Sequence, residues 1–227
     1  MTQVQNIVNG QWNIIATPTD AGSPVNYYAN ITNWGSGSFT APGGSVLVAR
    51  NNNADSGFFE QTHTSLLSKL VGSRVTIALN ASGNNRLFTG VLSDDGKTMS
   101  GSYADALGGG TWVAQRRPAV TGTYSGILTS IANPSEKPIL FTADISQDEA
   151  FRVTGTAVVE NSGRFASLKF DAGSRAVGGA IRLVDSSNDV TLNLVPYEDR
   201  NLSLNAPFYA SYRIEGGDVG TGTVNAI

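Results

Sequence analysis

VNGQWNIIAT, residues 8–17, and VTGTYSGILT, residues 120–129, are two versions of one segment set 112 residues apart in a chain of 227. A repeat on this scale constrains the fold strongly, because each copy must bury its own apolar face or share one with its twin. Gly10 falls on Gly122, Trp12 on Tyr124 and Thr17 on Thr129. Four more echoes follow in the same order: SVLVAR (45–50) with TAVVEN (156–161), VGSRVTIAL (71–79) with VGGAIRLVD (177–185), TGVLSDDGKTMSGSY (89–103) with LNLVPYEDRNLSLNA (192–206), and GTWVA (110–114) with GTVNA (222–226). Their shifts stay between 103 and 112, the mark of an internal duplication.

The joint falls in QRRPAV, 115–120. Pro118 there cannot donate to a sheet ladder and restricts the residue before it, which suits a short extended linker. The expected domains are 1–117 and 118–227.

Within each half the dominant hydrophobic period is two. Trp12, Ile14 and Ala16 share a face, as do Val75, Ile77 and Leu79, and Val190, Leu192 and Leu194. Such alternation predicts half-buried strands. SDDGK (93–97), with Asp95-Gly96 at its centre, reads as a hairpin turn, and YEDRN (197–201) is its counterpart. NASGNN (80–85) and DSSND (185–189) form a second matched pair of turns. FFEQTHTSLLSKL (58–70) is expected to be helical, from the spacing of Phe59, Leu66, Leu67 and Leu70 and from Gly72 beyond it. Its counterpart, RFASLKFDAG (164–173), reads as a strand and turn.

The fold expected is all-β: two tandem antiparallel meanders, each a small up-and-down barrel of about eight strands. One larger barrel or sandwich shared by the halves is the alternative. An eight-stranded barrel is either filled or holds one small ligand.

Composition narrows the function. Charged residues make up 15% of the chain and the net charge is −3. The longest cationic run, Arg116-Arg117, is too short to track phosphates, so nucleic acid and anionic membrane surfaces are disfavoured as partners. Without cysteine there is no disulfide, thiol chemistry or Cys-based zinc site. No apolar run approaches the ~18 residues of a spanning helix. The start, MTQVQNIVNG, has neither a charged nor an apolar signal region, so the chain is expected to be either cytosolic or a mature form with Met1 in place of an export signal, and composition favours the second.

Candidate chemistry is sparse. His63, the one histidine, has Glu60 and Ser65 nearby but no recognised motif, and reads as a surface residue. Asp94-Asp95, Asp185 with Asp189, and Glu198-Asp199 could be glycosidase-type carboxylate pairs, but all lie in predicted turns that Asp itself favours. NNNADSG (51–57) lacks the glycine position and terminal Glu of a calcium loop. Trp12 and Trp112 are expected in the core, on first and last strands that neighbour each other in a closed sheet. Trp34, in NWGSGSF, is the more exposed aromatic. The copies disagree at 51–70 against 157–173, and at Trp34 against the Asp148-Glu149 region. The expected ligand-contacting residues, Trp34, Phe59 and His63, come from these places.

Gly10-x-Trp12 followed by a strand meander resembles the first strand of lipocalin-like and avidin-like barrels, and GTYSG (122–126) has the same look. More broadly, VNGQWNIIAT…SDDGKTMSGSY…GTWVAQR…VTGTYSGILTS resembles a group of bacterial secreted proteins and lipoproteins of uncharacterised function. That resemblance implies a β-rich fold and a cell-envelope or extracellular location, and supplies no catalytic residue. The group tends to carry cysteines, one of them a lipid-attachment site; this chain has none, so lipid anchoring is unsupported.

Three functional classes follow. The first is a non-enzymatic protein that binds a small apolar ligand or a surface partner, without cofactor or metal. The second is a subunit that assembles with copies of itself through strand edges. The third is a hydrolase with facing carboxylates.

Overall fold

The computed structural model describes residues 8–20, 22–32, 45–51, 58–64, 67–81, 84–106, 108–196, 207–214 and 218–227, with backbone alone at 45–51, 58–64, 80–81 and 84. Among these are eighteen strands and no helix. The first half contains β1 (Gly10–Pro18), β2 (Val25–Thr32), β3 (Ser45–Asn51), β4 (Phe58–Thr64), β5 (Lys69–Val71), β6 (Arg74–Ala81), β7 (Asn84–Leu92), β8 (Thr98–Asp105) and β9 (Gly108–Arg117). The second contains β10 (Gly122–Ser130), β11 (Ile139–Gln147), β12 (Val153–Glu160), β13 (Ser167–Phe170), β14 (Arg175–Val177), β15 (Ala180–Asp185), β16 (Val190–Pro196), β17 (Phe208–Ile214) and β18 (Asp218–Ala226).

Each half forms its own curled antiparallel sheet, so the joint-sheet alternative is not what forms. The strand orders are β4-β3-β2-β1-β9-β8-β7-β6-β5 and β13-β12-β11-β10-β18-β17-β16-β15-β14. Both are meanders in which the last strand returns to pair with the first. The two outermost strands are consecutive in sequence.

In the second sheet those outer strands are parts of one interrupted strand. β12 pairs with β13 through Gly155–Val158, and Arg152, just before β12, bridges to Arg175 of β14. The Val153 N–H donates to the Ser174 carbonyl (3.1 Å), and the Ala176 N–H to the Phe151 carbonyl (2.9 Å). On the other side, the Asp171 N–H donates to the Val184 carbonyl of β15 (2.9 Å). β13 and β14 thus lie between β12 and β15, and the sheet closes as eight effective strands. Closure satisfies backbone groups that an open edge would expose. Ser174, buried in the break, accepts the Val184 N–H at its hydroxyl (2.8 Å). In the first half, Ser68 is buried just before β5 and accepts the Ala78 N–H in the same way (3.0 Å).

The strand registers refine the repeat. β1 maps onto β10 with the shift of 112, and Val71–Arg74 pairs as Val177–Ala180 does. β9 maps onto β18 with Trp112 on Gly222 and Ala114 on Val224, two residues away from the GTWVA/GTVNA echo. A two-residue offset preserves the face. β3 is offset by the same amount, Val48 matching Ala157. The SDDGKTMSGSY echo fails at its end: β8 matches β17, with Tyr103 on Tyr212, because the β16–β17 connection (197–207) is longer than 93–97. A longer hairpin loop costs little entropy and leaves the strands in place. YEDRN, in that connection, lies outside the described residues.

The helix expected over 58–70 does not form: 58–64 is β4, and Leu70 belongs to β5. Its apolar spacing is overridden by the sheet, which needs a partner for β3 just as β12 needs β13. The copy's reading as a strand was the better guide.

Inward faces carry the core. In the first half Trp12, Ile14, Ala29, Ile31, Val75, Ile77, Phe88, Met99, Trp112 and Ala114 are buried. In the second, Leu128, Phe141, Ala143, Val159, Leu183, Leu192, Leu194 and Val224 fill the matching space. Each large side chain so buried contributes about 1.5–3 kcal/mol.

Candidate functional site

The two ends of the first barrel differ. At the end where β1 begins, Gly10 takes φ 138° and its counterpart Gly122 takes φ 151°, both in a region that side chains other than glycine rarely enter. The chain then turns so that the Trp12 indole Nε1 donates to the Val8 carbonyl (2.8 Å). Arg116 of β9 places its guanidinium carbon 5.2 Å from the Trp12 ring centroid and donates from Nη2 to the Asn9 carbonyl (2.6 Å). Burial lowers the Arg116 pKa from its ordinary value. This end is closed by an aromatic ring under a cation.

Above it Trp112 of β9 lies over the neighbouring strands β8 and β7, its Nε1 shared between the Thr89 and Ser102 carbonyls (3.0 and 3.1 Å). Phe88 meets Trp112 edge to face at 5.6 Å and Tyr27 edge to face at 5.9 Å, and it lies tilted against Tyr103 at 5.6 Å.

The next inward layer is polar. Arg86 precedes Phe88 by two residues on β7 and shares its face. Its Nε donates to Asp105 Oδ2 (2.7 Å), its Nη2 pairs with the same oxygen, and its Nη1 donates to the Tyr27 hydroxyl. The guanidinium carbon lies 5.0 Å from the Tyr103 ring centroid and 5.5 Å from that of Tyr27. The Asp105 side chain is 3% exposed and that of Arg86 20%. A carboxylate so buried requires its cation, because an unpaired charge there is costly. Among the described residues the Tyr103 hydroxyl makes no hydrogen bond.

The second barrel lacks this layer. Register places Val190 where the first barrel has Arg86, Ile214 where it has Asp105, and Phe141 where it has Tyr27. Val190 and Ile214 face each other across β16 and β17, an apolar pair in place of an ion pair. Among the described residues, the cavity bounded by Leu128, Phe141, Leu168, Leu192 and Tyr212 has a volume of only about 20 Å³. Tyr212 donates instead to Asp218 Oδ2 (3.0 Å), and Ser130 to Asp218 Oδ1 (2.7 Å). Burial, helped by the Asp218 carboxylate, pushes the Tyr212 hydroxyl up to about 12.

Of the residues expected to contact ligand, Trp34 lies outside the described residues. Phe59 and His63 are on β4, and their side chains lie outside them. Arg86, Asp105, Tyr27 and Tyr103 were missed. A signal existed: Arg86 breaks an inward row with Phe88 and Leu92, and Asp105 ends one with Met99 and Tyr103.

The described carboxylate pairs serve turns. Asp95 accepts from the Ser93 hydroxyl (2.6 Å) and the Lys97 N–H (3.0 Å), which lower its pKa. Asp185 is drawn upward by burial, but the Lys169 N–H, the Asn188 side chain and the Asn188 and Ser187 N–H groups outweigh this and lower it. It borders an open groove of about 410 Å³ with Asp189 and Arg213, but its oxygens already hold the turn. Residues 52–57 of the calcium-like stretch and Glu198-Asp199 lie outside the described residues. Among those described, no cluster of three metal-ligating side chains occurs, and no helix is long and apolar enough to cross a membrane.

No family model matches the chain, and no curated protein does. Among solved structures, it is similar to a protein of unknown function from the DUF3598 family of Nostoc punctiforme PCC 73102, at 10% identity and a TM-score of 0.29, over 98% of this chain and 97% of that one. It is also similar to a candidate AttH protein of Nitrosomonas europaea, at 12% identity and a TM-score of 0.27, over 94% and 90%. No residue role is carried over from either.

Proposed function

We propose that this is a non-enzymatic binding protein of the cell envelope or extracellular space, whose first barrel takes a small, largely apolar ligand at the end lined by Arg86, Asp105, Tyr27 and Tyr103. The second barrel is a filled structural copy. One observation carries this reading: a buried ion pair with two tyrosines faces inward in one copy, where the other has Val190, Ile214 and Phe141. A fold that needed only stability at these positions is served by the apolar set, since replacing a buried ion pair with apolar residues is often neutral or stabilising. Retaining the charged set in one copy points to a use for its polar groups. The extracellular placement is supported by the low charge and the abundance of Gly, Ser, Thr and Asn.

Native mass spectrometry of protein purified from its source tests the reading. A co-purifying small mass, lost in Arg86→Val/Asp105→Ile/Tyr27→Phe, is the expected result. A monomer without added mass, binding nothing from an extract of its source, would contradict it.

A further inference from the structure

We propose that the ligand presents a neutral hydrogen-bond acceptor, such as a ketone, ester or amide carbonyl, to Arg86 and Tyr103, with its apolar part against the aromatic layer. This rests on the small-ligand reading above and adds the chemistry of the ligand's polar end.

The donor balance of the Arg86–Asp105 layer carries the inference. Arginine has five N–H donors, and Arg86 uses three of them among the described residues. Two remain. The Tyr27 hydroxyl accepts from Arg86 and still has its own proton to donate, and the Tyr103 hydroxyl has no partner among the described residues. Among the described residues this layer therefore holds a surplus of donors, which selects an acceptor.

Charge decides which kind of acceptor. Arg86 and Asp105 cancel each other's charge, so the pair itself is neutral. A carboxylate ligand would have to shed its hydration and sit beside the buried Asp105 carboxylate, with one guanidinium to serve two anions. A cation would meet the unused N–H groups of Arg86. A neutral carbonyl takes the free donors without disturbing the pair, and leaving polar groups of a site unmatched is what separates such a ligand from a plain hydrocarbon.

The test compares octane, 2-octanone and octanoate by titration calorimetry at pH 7, on wild type, Tyr103→Phe, and Arg86→Val/Asp105→Ile/Tyr27→Phe. Tyr103→Phe keeps the ring that covers Gly110 and removes only the hydroxyl. The inference predicts that 2-octanone binds wild type roughly tenfold more tightly than either octane or octanoate. That margin shrinks in Tyr103→Phe and vanishes in the triple variant. Octanoate binding tightest, or octane matching 2-octanone, overturns the neutral-acceptor inference while the small-ligand reading stands. If none of the three binds, the neutral-acceptor inference falls, while the small-ligand reading is decided separately by the native mass spectrum.

Discussion

Trp12 and Tyr124 do the same work in the two halves of this chain. Each reaches back four residues, Trp12 from its indole nitrogen to the Val8 carbonyl and Tyr124 from its hydroxyl to the Val120 carbonyl (2.8 and 3.0 Å). Two different side chains thus satisfy one buried carbonyl at one structural position. This detail ties the barrels together more firmly than the sequence similarity around it.

Tyr124→Phe keeps the ring and removes the bond. Urea unfolding should show a loss of about 1 kcal/mol with an unchanged slope. A loss near zero would mean that the Val120 carbonyl finds another donor.

The Arg86–Asp105 pair predicts strong non-additivity. Arg86→Val alone strands a buried carboxylate and should cost about 2–3 kcal/mol, a figure reduced from the usual range because Arg86 is partly exposed. The double change Arg86→Val/Asp105→Ile installs the pair that the second barrel carries, and should lie within about 1 kcal/mol of wild type. A double-mutant cycle measures the coupling.

Tyr103 and Tyr212 lie over glycines of the neighbouring strand. A Cβ at Gly110 would come within 2.8 Å of the Tyr103 ring and overlap the Thr17 carbonyl; one at Gly220 would overlap the Tyr212 ring and the Thr129 carbonyl. Gly110→Ala and Gly220→Ala should each destabilise their barrel by about 3 kcal/mol, at the upper end of overpacking costs. Thermal unfolding followed by circular dichroism is sufficient to detect it.

Stability should fall at both extremes of pH. The Ser186 hydroxyl and the Gly173 and Ser186 N–H groups lower Asp171 from its ordinary 3.8, and Asp185 is lowered as described above. Carboxyls lowered by folding stabilise above the unfolded value, and this is lost as pH falls from about 4 through the folded values. Asp185→Asn should be less stable than wild type at pH 7, with the gap closing as pH falls below about 4. At the other extreme, burial raises Tyr124 to about 12, as it does Tyr212. A raised pKa stabilises below the unfolded value of 10.0 and is lost as pH climbs toward 12. Tyr124→Phe should flatten that alkaline decline.

The architecture was legible in the sequence because period-two alternation and a repeated opening are direct consequences of a curled antiparallel sheet. Strands around Trp12, Val75 and Val190 stand where alternation put them. The segment at 58–64 did not, because its strand character comes from the neighbour it pairs with and not from its own apolar spacing. The site was less legible. Arg86 and Asp105 are 19 residues apart and become partners only through the β7–β8 hairpin. Leu87–Ala104 pairing puts them on adjacent inward positions, a consequence of register that composition does not carry. The copies also differ where Arg86 stands against Val190 and Asp105 against Ile214, a difference that only strand register reveals.

The central claim is that the first barrel, and not the second, holds the ligand. All three tryptophans, Trp12, Trp34 and Trp112, lie in the first half, so selectively excited tryptophan emission arises from that half alone. Titration with a bromine-labelled 2-octanone, whose heavy atom quenches indole at short range, tests the claim most directly. The account predicts saturable quenching at one ligand per chain, abolished in Arg86→Val/Asp105→Ile/Tyr27→Phe. Binding detected by calorimetry without any tryptophan quenching would contradict it.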